Sequence, residues 1–327
     1  MKKIVSIVFG VICSASFLVM PFISKNNSTN ITLNNNYKAI INVWQSDSFE
    51  GGTGSRSSFL RKKLNEFSKK HKGVLGFVTT YTIEGLKNAL KNGYSPDVIS
   101  IGGCGIDFSH IQKEIYTKTD NTMGFNNKKQ YYIPWARGGY FYIYHDITKV
   151  NRVIIGDGDY SFNSVAFLLN NNYLDKKVEV LDKSEVILEF LKDSASMFVG
   201  TQRDIVKLKN RNVAFEVKPI EEYSDLYQYL SLTSTNENNE YYARLFIDYL
   251  LSEEVQKTLI DLQLFSTLPI SIYKNNEEMA SFEKLKIKNT ISPFTDTQTL
   301  DKIKKLAKDG LQGNTNSEQL VNLLKQL

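Results

Sequence analysis

The chain opens on an apolar run from Ile4 to Ile23, preceded by Lys2-Lys3. At 1.5 Å rise per residue such a run reaches about 30 Å as a helix, enough to cross a bilayer core. Two lysines ahead of it fit export of the downstream chain. Residues 1–24 therefore read as a signal peptide or an N-terminal membrane anchor. Gly10-Val11-Ile12-Cys13 lacks the Leu-x-small-Cys pattern of a lipid-attachment site. Residues 25–36 lie in a polar run, SKNNSTNITLNNN from Ser24 to Asn36, with too little apolar surface to fold, and are a spacer.

From Tyr37 the pattern changes to short apolar runs separated by amphipathic stretches. Ala39 to Trp44 has strand length, and Ser58 to Lys70 carries Phe59, Leu60, Leu64 and Phe67 at helical spacing. Val74 to Tyr81 predicts a strand, Thr82 to Lys91 a helix, and Val98 to Ile101 a third strand. That β-α-β-α-β order calls for a parallel sheet with right-handed crossovers. Tyr131 to His145 (YYIPWARGGYFYIYH) is too long for one ordinary strand and bends at Gly138-Gly139. It suits a strand that leaves one sheet and enters another. Helices are expected over Ser184 to Lys192 and Thr201 to Asn210, and Leu226 to Leu232 reads as a strand returning to the first region. Tyr241 to Leu262 is the strongest helical pattern, with Ser252 placed to cap a restart. Leu300 to Lys308 and Ser317 to Gln326 are the last helical stretches.

Composition narrows the functional classes. Hydrophobic residues make up 42 % of the 327, with 18 Tyr and 19 Phe, so a sizeable core is available. The formal charge is +5, and without Lys2, Lys3 and Lys25 it falls to +2, a poor electrostatic footprint for nucleic acid. Two cysteines, Cys13 and Cys104, make no disulfide framework, and the three histidines show no metal-ligand spacing. Neither a metal nor a cofactor is expected. The chain has no G-x-S-x-G and no H-E-x-x-H, and Asp47 with Glu50 is the one carboxylate pair a glycosidase could use. An exported glycosidase is the least supported class, and the chain is read as no enzyme.

Several segments carry a resemblance. Ser95-Pro96-Asp97-Val98-Ile99, Pro134 to Asp146 (PWARGGYFYIYHD), Ala195 to Arg203 (ASMFVGTQR), Phe246 to Pro269 (FIDYLLSEEVQKTLIDLQLFSTLP) and Gly313 to Leu324 succeed one another in a specific order. In that order they resemble the extracellular solute-binding proteins of bacterial ABC importers, in particular the carbohydrate-binding group. The resemblance covers the chain from Tyr37 onward. It implies an α/β fold of the two-lobed, type II periplasmic-binding-protein kind, with crossing strands between the lobes and a ligand cleft. It also implies lobe 1 over 37–137 plus 232–284 and lobe 2 over 138–231 plus 285–327. The family's proline-led T-W-x-E-L helix is replaced by Gly156-Asp157-Gly158-Asp159 and a shortened stretch, which implies a smaller second lobe.

By the same resemblance the partners are a small solute, a sugar or oligosaccharide, and the permease subunits, with the protein outside the cell and held to the membrane through its N-terminal segment. Alternatives are a polyamine, ferric iron or organophosphate ligand, or a sensor partner in place of the permease.

Open α/β sheets bind ligands beyond the carboxyl ends of their strands. The candidate ligand-binding residues are those expected there: Trp44, Asp47, Glu50 and Arg56 around the first strand and its glycine-rich loop; Gly102 after the third strand; Trp135 and Arg137 beside the bend; and Gln202 and Arg203 at a strand-to-helix junction. Each has a plain structural alternative: core packing for the tryptophans, a solvated turn for the loop, and helix surface for Gln202 and Arg203.

Overall fold

The computed structural model describes residues 37–47, 49, 54–103, 105–117, 123–158, 161–170, 172–313 and 317–326. The leader, the spacer and Glu50 lie outside the described residues. Among those described, no helix is long and apolar enough to cross a membrane.

In the first sheet, β1 (Ala39–Ser46) runs parallel to both β2 (Val74–Tyr81) and β3 (Val98–Ile101). The hairpin strands β4 (Phe125–Asn126) and β5 (Lys129–Gln130) pair only with each other. The sheet is completed by β6 (Ile133–Arg137) and the much later β12 (Tyr227–Leu232), in the order β2-β1-β3-β12-β6. Helix α1 (Arg56–Lys70) is started by Ser55, whose hydroxyl accepts from the Ser58 N–H, and buries Phe59, Leu60, Leu64 and Phe67. Helix α2 (Ile83–Lys91) is capped by Thr82 and lays Ile83, Leu86 and Leu90 in a cluster with Trp44, Ile99 and Ile101. Side chains alternate across a strand, so Val43 and Trp44 feed the two different clusters.

The second sheet comprises β7 (Tyr140–Tyr144), β8 (Arg152–Asp157), β9 (Lys177–Asp182), β10 (Ser196–Thr201) and β11 (Glu216–Pro219), in the order β11-β7-β10-β8-β9. Strands β8, β9 and β10 are parallel, and β7 is antiparallel to both of its neighbours. Helix α3 (Asn163–Asn170) packs in the cluster of Tyr140, Tyr142, Val153 and Val199, while α4 (Val186–Lys192) and α5 (Gln202–Asn210) pack in that of Phe141, Ile143, Ile154 and Phe198. Helix α6 (Glu237–Leu250) returns to the first sheet. The short α7 (Glu253–Gln256) runs on as a 3-10 turn to Leu262, where Gln263 turns left-handed at φ 54°. Helix α8 (Glu277–Glu283) joins the second sheet, and α9 (Thr297–Leu311) and α10 (Ser317–Leu324) pack on α3.

The long aromatic run is two strands in two sheets, β6 and β7, joined at Gly138-Gly139. A side-chain carbon on Gly139 would lie 2.3 Å from the Phe282 ring, so this crossing requires glycine. The return crossing is Ser224–Leu226, with Gly138 N–H donating to the Leu226 carbonyl. A third passes through Phe265, which exchanges backbone hydrogen bonds with Arg137 while its ring packs with Phe141 and Phe282.

The restart expected at Ser252 is present: α6 ends at Leu250, and the Ser252 hydroxyl caps α7 by accepting from Val255 N–H. Arg152–Asp157 is a central strand that the pattern did not register. Only Val153, Ile154 and Ile155 are apolar there, and pairing with both β9 and β10 supplies what local propensity lacks.

Candidate functional site

The carboxyl ends of β1 and β3 reach the start of β12 through Gln228, and the end of β10 pairs with the start of β7. The first-sheet side is organised by Arg56, the first residue of α1, which is 4 % exposed. A buried guanidinium needs an anion and acceptors for its remaining N–H groups. Asp47, on the loop after β1, supplies the anion at 2.9 Å from Nε. Arg56 Nη1 donates to Gln228 Oε1 at 2.8 Å, Nη2 donates to the Phe49 carbonyl, and the Phe49 ring lies 4.3 Å from the guanidinium carbon. Gln228 Nε2 donates in turn to the Ser46 carbonyl and to Ser100 Oγ, which also accepts from Trp135 Nε1 at 3.0 Å. Gln45 Nε2 donates to the same Asp47 oxygen that holds Arg56. Burial lowers the pKa of Arg56, Asp47 opposes that, and the Arg203 guanidinium from the second sheet lowers it further.

On the second-sheet side, α5 begins at Gln202 with a Thr201–Asp204 capping box. Gln202 Oε1 accepts from the Gly139 N–H at 2.9 Å, which ties this helix start to the crossing. Its Nε2 is buried without a hydrogen-bond partner among the described residues. Tyr140, the first residue of β7, donates its hydroxyl to Asp225 Oδ1 at 2.9 Å. Burial pushes the Asp225 carboxyl up to about 6, with the Tyr140 hydroxyl and the Lys304 charge opposing. Burial and the Asp225 charge together hold the Tyr140 hydroxyl well above its ordinary value.

The structure joins Asp47 to Arg56 after β1 and places Gln202 at the crossing, with Arg203 the next residue of α5. Trp44 is 8 % exposed and tilts against Tyr81 at 4.8 Å. Gly102 is buried just past β3. Trp135 is fully buried, its ring stacked 5.7 Å from Phe59, so it presents no face to a ligand in this conformation. Arg137 lies apart: Nε donates to the Ser266 carbonyl, Nη2 to that of Glu283, and the guanidinium covers the Phe282 ring. Gln228, Asp225 and Tyr140 are polar members of the junction that sequence reasoning did not single out. Gln228 is hidden in an alternating strand whose six residues are all buried, and nothing in the local pattern of Asp225 marks it as enclosed.

No protein-family model and no curated protein matches the sequence. Among solved structures the chain is similar to the sugar-binding protein MalE of Xanthomonas citri, at a TM-score of 0.63 and 12 % identity over 88 % of this chain and 95 % of that one. It is similar to the GacH receptor of Streptomyces glaucescens, solved unliganded and with acarbose, at 0.54 and 14 % over 88 % and 98 %. It is also similar to the MalE domain of Bdellovibrio bacteriovorus bound to maltotriose, at 0.54 and 15 % over 88 % and 99 %. The chain has the type II periplasmic-binding-protein fold. In open sheets of this kind crevices form beyond the strand carboxyl ends, and Asp47 and Arg56 follow that end of β1 as Gln202 and Arg203 follow that of β10. Chemically the junction is a set of fixed donors and acceptors.

Proposed function

We propose that the chain is the extracellular, non-catalytic solute-binding component of an ABC importer. It captures a sugar or short oligosaccharide in the cleft between its two sheets and passes it to permease subunits. The observation that carries this is the buried Arg56, held by Asp47 and Gln228 at the strand ends. Fixed charged donors and acceptors at strand carboxyl ends suit polyhydroxyl ligands. The similar proteins from Xanthomonas citri, Streptomyces glaucescens and Bdellovibrio bacteriovorus, described as a sugar binder, an acarbose complex and a maltotriose complex, support the same reading. The ligand-contacting residues are proposed as Asp47, Glu50, Arg56, Arg203 and the rim at Trp44 and Gly102, with Gln202 setting the hinge. The lobes are proposed to follow the two sheets, which moves 227–231 to the first lobe and Glu277–Glu283 to the second relative to the bounds 138–231 and 232–284, and the apolar leader exports the body and holds it at the outer face of the membrane.

The test is a thermal-shift screen against maltooligosaccharides, monosaccharides, polyamines and ferric iron. A ligand at about 100 times its dissociation constant adds about 2.7 kcal/mol of stability, a shift of several degrees. A sugar response supports the proposal. A response confined to polyamines or iron replaces the ligand class, and silence across all classes overturns the importer reading in favour of a sensor.

A further inference from the structure

Consecutive residues of a strand point to opposite faces. On β12, Gln228 reaches the Arg56 cluster while Tyr227 lines a separate cavity of about 620 Å³. All three crossing segments border that cavity: Pro134 and Arg137 from the first, Tyr227 from the second, and Ser266 to Pro269 from the third. The stretch from Glu283 to Thr290 closes it. Its volume lies within the range of about 300–1,000 Å³ usual for small-molecule sites.

Its charges are one-sided. Arg137 is half-buried, and its guanidinium is pinned by the neutral main-chain carbonyls of Ser266 at 3.1 Å and Glu283 at 3.2 Å. Among the described residues no carboxylate forms an ion pair with it. The one acid in the wall, Glu283, turns its carboxylate elsewhere and accepts from Ser271 Oγ, Ile272 N–H and Tyr273 N–H. Along the closing stretch Leu285 and Ile287 pack inward, which leaves Lys284, Lys286 and Lys288 exposed at alternate positions. Glu221 and Glu222 neutralise Lys288. Lys284 and Lys286 form no ion pair among the described residues. Arg137, Lys284 and Lys286 thus add one sign of charge to a concave wall, which concentrates their field on whatever enters.

We propose that this hinge-side cavity is a second ligand site, separate from the solute cleft, and that it takes a small polyanion carrying carboxylate or phosphate groups. Arg137 provides a preorganised planar cation at its floor, and the two lysines supply mobile charge at its rim.

The experiment is titration calorimetry of the full chain with citrate and with pyrophosphate at fixed ionic strength. Wild-type protein should bind at least one of them saturably, at one site. The Lys284→Gln/Lys286→Gln variant alters only exposed side chains, so its melting temperature without anion should match wild type while its affinity falls at least tenfold. A Lys62→Gln/Lys69→Gln variant, with equal charge removed from α1, should bind as wild type does. Citrate binding alone assigns carboxylates and pyrophosphate binding alone assigns phosphates, each within the proposal. No saturable binding by wild type overturns the site, as does equal affinity in the Lys284/Lys286 variant or equal weakening in both variants. Sugar binding is read separately, so failure of the solute reading leaves this result standing on its own.

Discussion

Arg56 Nη1 lies 2.8 Å from Gln228 Oε1, a bond that closes 172 residues of chain and joins the start of α1 to the underside of β12. The guanidinium is buried and its counter-ion Asp47 is half exposed, so the charge is desolvated at one end and screened at the other. Asp47→Ala leaves Arg56 buried with neutral acceptors only. The expected loss is about 1–2 kcal/mol of folding stability, with Arg56→Ala costing more because Gln228 Oε1 and the Phe49 carbonyl are also orphaned. Urea unfolding measures both. An unchanged midpoint for Asp47→Ala means that water serves Arg56 as well as the carboxylate does.

The two tryptophans should report differently on the cleft. Trp44 ends an edge of the junction beside Tyr81, whereas Trp135 is fully buried on Phe59 with its N–H tied to Ser100. A ligand in the cleft should therefore change Trp44 emission and leave that of Trp135 nearly constant. Trp44→Phe should remove the ligand-dependent fluorescence signal and Trp135→Phe should retain it. The opposite pattern would place the ligand against the crossing strand and not at the end of β1.

Asp225 gives a pH dependence whose sign is set by its environment. Its carboxyl is raised from 3.8 to about 6 by burial, so the folded state holds the proton more tightly than the unfolded chain does. Stability from this group is fully present below about pH 4 and is lost as pH rises through about 6. Asp225→Asn keeps an oxygen for the Tyr140 hydroxyl and removes the charge. It should stabilise the protein above pH 6 by up to roughly 2–3 kcal/mol, and the gain should vanish near pH 4. Melting curves across pH 4–8 decide it; a gain that does not change with pH would exclude titration of Asp225 as its source.

What could be read from the sequence, and what could not, divides along local against non-local causes. The βαβαβ opening was legible because Ile41, Val43, Leu60, Leu64 and Leu86 repeat at strand and helix spacings set by nearest neighbours. The switch of sheets at Gly138-Gly139 was legible because two glycines interrupt an aromatic strand. Arg56 and Arg203 were singled out because fold position, strand end to helix start, predicts the crevice. Trp135 and Arg137 were placed at the same crevice by their neighbourhood to the bend, yet one side chain is enclosed and the other lines the opposite face. Which way a residue points after a bulge and a crossing is decided by the partner strand; here the register of β12 against β6 shifts between Gln228 and Tyr229. Asp225 and Gln228 acquire their roles from elements far away in the chain, and a single sequence carries no mark of that.

The first crossing offers a direct test of packing at the hinge. Gly139 donates its N–H to Gln202 Oε1 and faces the Phe282 ring, whose carbons would lie 2.3–2.7 Å from an added Cβ. Phe282 cannot simply swing aside, because it also packs on Phe141 and Phe265 and lies under the Arg137 guanidinium. Gly139→Ala should therefore cost about 1–3 kcal/mol by overpacking. Phe282→Leu alone costs its own share through lost contact, but it makes room for the methyl group. In the double variant the combined loss should fall short of the sum by at least about 1 kcal/mol, the mark of two groups competing for one space. Strict additivity in urea unfolding would show that the backbone moves to absorb the methyl group, and that Phe282 is not what demands glycine at this crossing.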